Sequence, residues 1–304
     1  MNLILKNSNL IYRKLKLSDY EEFRKLFFLC FKKKISFDFF KWRYFSNKFS
    51  FCYGVFISSK LIANVGMISI KLNNNKKERI FSRHSSMVLR KYRGVGIFSD
   101  LLKRVKNKIV KKVRLVVMWP NQNNFASFGI DKKKIIEKKY YLYKTTSTST
   151  LTKKTKNYHI DELIKFKNFI ENNNSFFFKN FDYFKDRYLF YQKHEYLINR
   201  FKFKNFTSFF ILKRNKDKTG LKYVILDHFG SKKISSKHFS CLIRDQKELI
   251  FLSSKKINKS NYELINYVNF KIGIIKKLHI KEKKIILIKK EIFLGDSDIF
   301  ITTG

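Results

Sequence analysis

Two glycines separated by one residue, Gly94 and Gly96, lie between an apolar segment and an amphipathic one. The apolar segment predicts a strand, and apolar residues recur at helical spacing from Ile97 to Ile109, which predicts a helix. A glycine turn at a helix N-terminus directs several main-chain N–H groups to one point, where the helix dipole adds partial positive charge. The segment is therefore suited to binding a phosphate or pyrophosphate through its main chain.

Single residues exclude two common phosphate-binding motifs. A Walker P-loop requires Lys and then Ser or Thr after its second glycine, where this chain has Ile97 and Phe98. The dinucleotide motif requires a third glycine, where this chain has Ser99. Residues 93–98 instead resemble the coenzyme A loop of the GNAT superfamily of N-acetyltransferases, Arg/Gln-x-x-Gly-x-Gly/Ala, with Phe98 replacing the final small residue. They are similar to a branch of the superfamily with a Y-R-G-x-G-I-F loop. The alternative is a glycine turn that only joins a strand to a helix.

The elements predicted around this loop follow the order of the GNAT superfamily. A capping box at Ser18 and Glu21 predicts the start of the first helix. The segment Asn-x-x-Asn-x-x-Ser from Asn121, followed by an aromatic-Gly pair at Phe128, resembles the GNAT segment that contacts CoA. The resemblance covers about residues 8–145 and implies an α/β fold with a mixed sheet. Strands are predicted at residues 10–17, 51–57, 61–72, 78–89, 113–119 and 135–143, and further helices at 37–45 and 97–110.

An eight-residue motif occurs twice, at residues 37–44 and 181–188, with six of eight positions identical. Apolar, strand-like segments follow both copies, at residues 51–57 and 206–212. Chance similarity in a chain rich in Phe and Lys is one explanation; the other is a pair of pseudo-symmetric GNAT-like halves. We predict the second arrangement, with an acetyl-CoA-binding domain at 1–145, a Thr/Ser/Lys-rich linker at 144–157 and a second half at 158–304. The second half has only Gly230 where the first has its loop, so we expect it to bind no CoA and to wall the acceptor pocket.

The resemblance also implies which residues hold acetyl-CoA, the expected co-substrate. In the superfamily, the strand before the loop binds the pantetheine arm and directs an N–H at the thioester carbonyl. The loop N–H groups bind the pyrophosphate, and an Asn after the next strand contacts CoA. The predicted cofactor-binding residues are Met87, Val88, Leu89, Arg93, Gly94, Val95, Gly96, Ile97, Phe98, Asn121 and Asn124.

Catalytic side chains are harder to assign. His84 lies in the strand before the loop and titrates near neutrality, so it is a candidate base; an ordinary strand histidine is the alternative. The tyrosine that acts as general acid in the superfamily corresponds here to Phe128, so we assign that role to Tyr140, with Tyr141 or water as alternatives. Asp298 near the C-terminus is a candidate for holding the acceptor amine; a polar turn is the alternative. No metal site is predicted, because the acidic pair at residues 296 and 298 lacks the rest of a calcium loop.

The chain carries 67 Lys and Arg residues against 23 Asp and Glu residues, a net charge of +44. This field attracts polyanions in general, including CoA, nucleotide-linked substrates, RNA and anionic membranes. Lys is spread along nearly every segment, which disfavours a dedicated RNA surface. No apolar run is long enough to span a bilayer and no secretion signal is evident. Cys30, Cys52 and Cys241 show no disulfide or metal spacing, so we expect free thiols and a cytoplasmic location.

The resemblance therefore predicts an N-acetyltransferase that uses acetyl-CoA and acts on a small-molecule amine. The preferred acceptor is the primary amine of an amino sugar, free or nucleotide-linked, in surface-polysaccharide biosynthesis. A protein or peptide amine is the alternative acceptor. A non-catalytic RNA-binding protein with a GNAT fold is the alternative from another functional class. The sequence leaves the oligomeric state open.

Overall fold

The chain divides into two compact units in the computed structural model. Unit 1 contains Met1–Glu137 and Lys271–Leu278, and unit 2 contains Lys138–Phe270 and His279–Gly304. The predicted mixed α/β architecture is confirmed. The residues that the structure describes are 9–46, 50–71, 79–109, 113–118, 135–145, 155–173, 181–189, 195–203, 206–217, 220–230, 248–253, 256 and 262–274.

Unit 1 is a sheet with helices on it. The sheet has the order β1-β2-β3-β4-β5, antiparallel except for the parallel pair β4 and β5. Residues 271–274 lie antiparallel to β5. The strands are β1 (Leu10–Lys14), β2 (Phe51–Ile57), β3 (Lys60–Lys71), β4 (Arg79–Val88) and β5 (Val113–Met118), and the helices are α1 (Tyr20–Phe31), α2 (Phe37–Phe45) and α3 (Ile97–Ile109).

The helices of unit 1 are held by the apolar faces that the sequence predicts. All five apolar residues of the predicted stripe on α3 are buried, so this helix is anchored to the sheet directly after the glycine loop. Helix α1 buries three apolar residues and leaves Cys30 half-buried. The buried residues are Ile97, Leu101, Leu102, Val105 and Ile109 on α3, and Phe23, Leu26 and Phe27 on α1.

The predicted capping box at Ser18 is wrong. Helix α1 begins at Tyr20, after a 3-10 turn at Leu17–Asp19. Asp19 accepts a hydrogen bond from the Lys16 N–H at 2.7 Å and two from the Arg13 guanidinium at 2.7 Å each. The bond from Arg13 lowers the pKa of the Asp19 carboxyl. A carboxylate forms stronger bonds than a serine hydroxyl to these donors, so Asp19 rather than Ser18 fixes the start of the helix.

The strands of unit 2 follow the order β12-β6-β11-β10-β9-β8-β7. Among the residues described, no helix has the length and apolar content needed to cross a membrane. The strands are β6 (Ile135–Thr145), β7 (Thr155–His159), β8 (Tyr196–Phe203), β9 (Phe206–Asp217), β10 (Gly220–Gly230), β11 (Glu248–Ser253) and β12 (Tyr262–Ile274). The helices are α4 (Lys167–Asn173) and α5 (Phe181–Phe184), which continues as a π-helix over Lys185–Leu189.

The two units repeat one strand order. Strands β7 to β11 follow the pattern of β1 to β5: the first pair is antiparallel and the last pair parallel. Both copies of the repeated motif are helical, in α2 and in α5 with its π-helical extension. The strand after the second copy is β8, however, so residues 206–212 open the next strand instead. Residues 144–145 belong to β6 and residues 155–157 to β7, at the two ends of the proposed linker.

Candidate active site

Strand β4 contains a bulge just before the glycine loop. Asn64 of β3 pairs with Met87, and Gly66 pairs with His84, so β4 has one more residue than β3 in this interval. Ser85 lies in the bulge with φ of 44°, a left-handed conformation that a serine rarely adopts. Bulges commonly redirect the residues that follow them, which here are the predicted pantetheine-binding residues.

Strands β4 and β5 pair over only part of β4. Their parallel register runs from Arg79, opposite Val113, to Arg83, opposite Met118. Beyond Arg83, the pairs among described residues join β4 to β3 alone. With respect to the described residues alone, the β5 side of the later part of β4 is an edge on which an extended ligand such as a pantetheine arm could bond in the place of a strand.

The end of β4 shows which main-chain groups can serve that ligand. The Leu89 N–H donates to the Ile62 carbonyl of β3 at 2.9 Å, so it is used within the sheet. Main-chain groups of successive residues in a strand face opposite edges, and the Val88 N–H therefore faces the β5 side. Val88, rather than Leu89, is the residue whose N–H can point at a thioester carbonyl. The Met87 side chain is buried in the core.

The Val88 carbonyl accepts hydrogen bonds from two side chains whose proximity the sequence did not predict. It accepts a hydrogen bond from Arg93 Nε at 3.0 Å and one from Cys30 Sγ at 3.6 Å. Burial raises the pKa of the Cys30 thiol, and Arg93 opposes part of that rise. Cys30 was predicted only as a buried thiol, because nothing in the sequence places helix α1 against the end of β4.

The glycine loop has the geometry expected of an anion site. Gly94 and Gly96 have φ of 80° and 87°, and a Cβ built on either would meet no protein atom within 4 Å. Helix α3 starts directly after Gly96, whose carbonyl accepts the Asp100 N–H at 3.0 Å. The Ile97 side chain is buried, so only its main chain can face a ligand. Loop N–H groups and the helix N-terminus thus share one exposed surface, which fits a pyrophosphate.

Gly230 of unit 2 differs from the two loop glycines. Its φ is 108°, but a Cβ there would lie 2.8 Å from the Thr207 carbonyl oxygen. Close packing and backbone conformation together explain this glycine, and β10 ends with it. The geometry of Gly230 does not resemble an open phosphate loop.

His84 is held by an arginine from helix α2. Arg43 Nη2 lies 3.0 Å from His84 Nδ1, and both side chains are only 5% exposed. A guanidinium can only donate, so Nδ1 must accept, and the imidazole is neutral with its proton on Nε2. Protonating Nδ1 would place a proton against the guanidinium. This bond is compatible with the alternative of a strand histidine bonded to its neighbour, and the role of His84 as a general base stays a prediction.

A second buried arginine lies next to His84 in the sequence of β4. Arg83 precedes it in β4, and burial lowers the pKa of Arg83 to about 10, which leaves the guanidinium charged at neutral pH. The Arg43 guanidinium disfavours a protonated His84 imidazole.

The remaining predicted residues lie in unit 2 or outside the described residues. Tyr140 lies in β6 and is 1% exposed, whereas Tyr141 is half-buried. Asp298, Asn121 and Asn124 are outside the part of the chain that the structure describes. His84, the end of β4 and the loop all belong to unit 1. Within the described ranges, no group of three or more His, Cys, Asp or Glu could hold a metal ion.

Among the described residues, an open glycine loop lies between a bulged strand and a helix N-terminus, a geometry suited to the pyrophosphate of coenzyme A. Residues 11–129 match the sequence model of the acetyltransferase (GNAT) domain. This match is to the family that the sequence resemblance predicted, and acetyl-CoA is the co-substrate of GNAT acetyltransferase domains. No curated protein sequence matches the chain significantly.

Solved structures of acetyltransferases and a probable acyltransferase are similar in fold to this chain over both units. A GCN5-related N-acetyltransferase from Anabaena variabilis superposes with a TM-score of 0.59 at 11% identity, covering 88% of this chain and 73% of that one. A probable N-acyltransferase from Enterococcus faecalis, a conserved protein of unknown function, gives 0.62 at 12% identity and the same coverage. A glucosamine N-acetyltransferase region of a fungal β-N-acetylglucosaminidase gives 0.55 at 9% identity, covering 88% of this chain and 38% of that one. Such low identities establish the fold alone.

Proposed function

We propose that the chain transfers the acetyl group of acetyl-CoA to a primary amine. The observation that carries this proposal is the loop at residues 94–96, where two glycines with positive φ open onto the N-terminus of α3. A loop that merely joined strand to helix would not need two exposed glycines whose Cβ directions meet no protein atom. The adjacent β4 end supplies an N–H facing the side where a pantetheine arm would lie.

In this reaction the amine nitrogen attacks the thioester carbonyl carbon. A C–N bond forms, the C–S bond breaks, and the CoA thiolate takes up a proton as the amine loses one. Val88 would direct its N–H at the carbonyl oxygen as negative charge develops there. The loop N–H groups would hold the pyrophosphate, and Arg93 would tie the loop to β4. Tyr140 as the acid and Asp298 as a residue near the acceptor amine stay proposals, as do the CoA contacts of Asn121 and Asn124.

For the acceptor we propose the amine of an amino sugar, free or nucleotide-linked, as would be needed in surface-polysaccharide biosynthesis. One structure with the same fold acts on glucosamine, which supports this choice through likeness of fold alone. The net charge of +44 would draw in a nucleotide-linked sugar. A peptide or protein amine is the alternative acceptor. Cys30 and Cys52 are free thiols, as a reducing compartment such as the cytoplasm favours.

The first experiment is titration of acetyl-CoA into the purified chain by calorimetry, with Gly96→Glu and Gly96→Gln as paired variants. Both variants impose the same backbone strain at φ of 87°, and their side chains have the same size. Only glutamate adds negative charge to the phosphate site. We expect micromolar binding by the wild type, weaker binding by Gly96→Gln and a further loss of about tenfold or more in Gly96→Glu.

Thermal unfolding of the two variants controls for folding, and their midpoints should agree. Equal affinities in the two variants would mean that the loop does not face the phosphates. No binding by the folded wild type would refute the acetyltransferase proposal. If acetyl-CoA binds, release of free CoA thiol is then measured with glucosamine, a nucleotide-linked amino sugar and a lysine-containing peptide. Turnover on the peptide alone would replace the amino sugar with a peptide amine as the acceptor.

A further inference from the structure

We propose that Tyr44, on helix α2, is a positioning residue for acetyl-CoA: its hydroxyl holds the β4 bulge in the conformation that aims the end of β4 at the cofactor. The inference rests on the proposed function and adds a residue that never touches the ligand. Four residues from three elements take part. They are Tyr44 of α2, Asn64 and Gly66 of β3, and Ser85 of β4.

Ser85 is the strained residue of the group. Its φ of 44° is in the left-handed region, which is unfavourable for a residue with a Cβ and persists only when its surroundings enforce it. Two buried side chains do so. The Tyr44 hydroxyl is hydrogen-bonded to Ser85 Oγ, and Asn64 Nδ2 donates to the Ser85 carbonyl at 3.1 Å.

The Tyr44 ring reaches the bulge because Gly66 lacks a side chain. A Cβ at Gly66 would lie 2.5 Å from Tyr44 Cε1, too close for any real contact. The ring is 1% exposed and packs edge-on against Phe23 and Phe40, with centroids 5.5 and 5.8 Å away. Burial raises the pKa of the Tyr44 hydroxyl, so this group stays protonated at neutral pH. The contact is thus a fixed, neutral hydrogen bond.

The segment that follows Ser85 carries the proposed cofactor contacts. Val88 lies three residues beyond Ser85, and the loop begins at Arg93, which is bonded back to the Val88 carbonyl. If Ser85 relaxed to an ordinary extended conformation, the peptide planes after it would rotate, and the Val88 N–H would lose its direction. Binding geometry of this kind is sensitive to displacements of about 1 Å.

Unit 2 repeats the bond without the loop. Tyr188, the counterpart of Tyr44 in the repeated motif, donates to Asp227 Oδ2 at 2.6 Å. Asp227 lies in a bulge of β10, where the register with β9 shifts after Ile225. Both Tyr188 and Asp227 are 0% exposed. Since β10 ends at Gly230 rather than in an open glycine loop, the unit 2 bond offers a matched structural control.

The test compares Tyr44→Phe with Tyr188→Phe in the full chain. Each variant keeps the ring and removes one buried hydroxyl, so both should lower the thermal midpoint. Acetyl-CoA affinity is measured by calorimetry. We expect Tyr44→Phe to weaken acetyl-CoA binding by about fivefold or more, and Tyr188→Phe to change it by less than about twofold.

Hydrogen exchange without ligand provides a second readout. Amide protection at residues 86–89 should fall in Tyr44→Phe and stay unchanged in Tyr188→Phe. Unchanged affinity and protection in Tyr44→Phe, despite a lower midpoint, would show that the bond is only structural and overturn the proposal. If the wild type does not bind acetyl-CoA, the proposed function fails and the link to the cofactor fails with it. The exchange data would then still decide whether Tyr44 orders the end of β4.

Discussion

Arg93 connects the glycine loop to the strand before it. Its Nε donates to the Val88 carbonyl at 3.0 Å while its side chain stays largely exposed. A lysine would keep the positive charge, but it has no donor at the position of Nε and cannot bond in two directions from a planar group. The side chain therefore has a geometric role in addition to its charge.

We expect Arg93→Lys to raise the dissociation constant of acetyl-CoA by about threefold to tenfold, because the loop loses one bond to β4. Arg90→Lys is the matched control, since Arg90 is also exposed and lies in the 3-10 turn before the loop. That control should change the affinity by less than about twofold. Calorimetry measures both variants at one salt concentration. Equal losses would mean that Arg93 contributes nothing specific to the loop geometry.

At the scale of single residues, the sequence predicted those residues whose conformation depends on their neighbours in the chain. Gly94 and Gly96 could be recognised because a motif of six consecutive residues encodes the turn. The state of His84 could not be predicted, because it depends on Arg43, which is 41 residues away in sequence. Ser18 was chosen as a cap over Asp19 because the pattern contains no information about Arg13, whose charge favours the carboxylate.

At the scale of elements, helix α2 was predicted with its observed bounds. Ser36 explains the agreement: it is extended, with φ of −85° and ψ of 157°, and its hydroxyl accepts the Phe39 N–H at 3.2 Å. The bulge in β4 could not be predicted. It arises where Tyr44, Asn64 and Gly66 converge from two other elements, and no periodicity in β4 itself encodes it.

Replacing the two serines tests these assignments. Ser36→Ala removes an observed N-cap and should lower the free energy of unfolding by about 1 kcal/mol. Ser18→Ala alters a residue that caps no helix, and it should change that free energy by less than about 0.5 kcal/mol. Denaturant unfolding of both variants measures the difference. A larger loss in Ser18→Ala would restore the capping box that the sequence suggested.

At the scale of the whole molecule, the repeated motif correctly indicated two halves with one strand order. The strand after the second copy was misplaced because Asn199, Arg200 and Lys202 interrupt the apolar residues of β8. The continuous apolar run at residues 206–212 is the more evident strand signal, but it opens β9. A strand that mixes apolar and polar residues is harder to recognise than a continuous apolar run. The sequence therefore indicated β9 instead of β8, the other strand of the same antiparallel pair.

The net charge of +44 leads to the last prediction, which separates cofactor binding from general attraction of polyanions. Binding of single-stranded RNA through scattered lysines releases counterions, so its affinity should fall by more than about 100-fold between 50 and 200 mM salt. Acetyl-CoA carries few charges and is held by main-chain N–H groups, so its affinity should fall by less than about tenfold. Gly96→Glu should weaken acetyl-CoA binding by about tenfold or more relative to Gly96→Gln and leave RNA affinity unchanged.

Filter binding for RNA and calorimetry for acetyl-CoA, across the same salt series, make the comparison. Gly96→Gln again controls for backbone strain at the loop. RNA binding that stays tight at 200 mM salt, together with no acetyl-CoA binding, would identify the chain as an RNA-binding protein that retains a GNAT fold. Parallel loss of both ligands in Gly96→Glu would mean that RNA occupies the glycine loop itself. The expected result, two ligands with separate salt dependences, assigns the loop to the cofactor and the remaining charge to the surface as a whole.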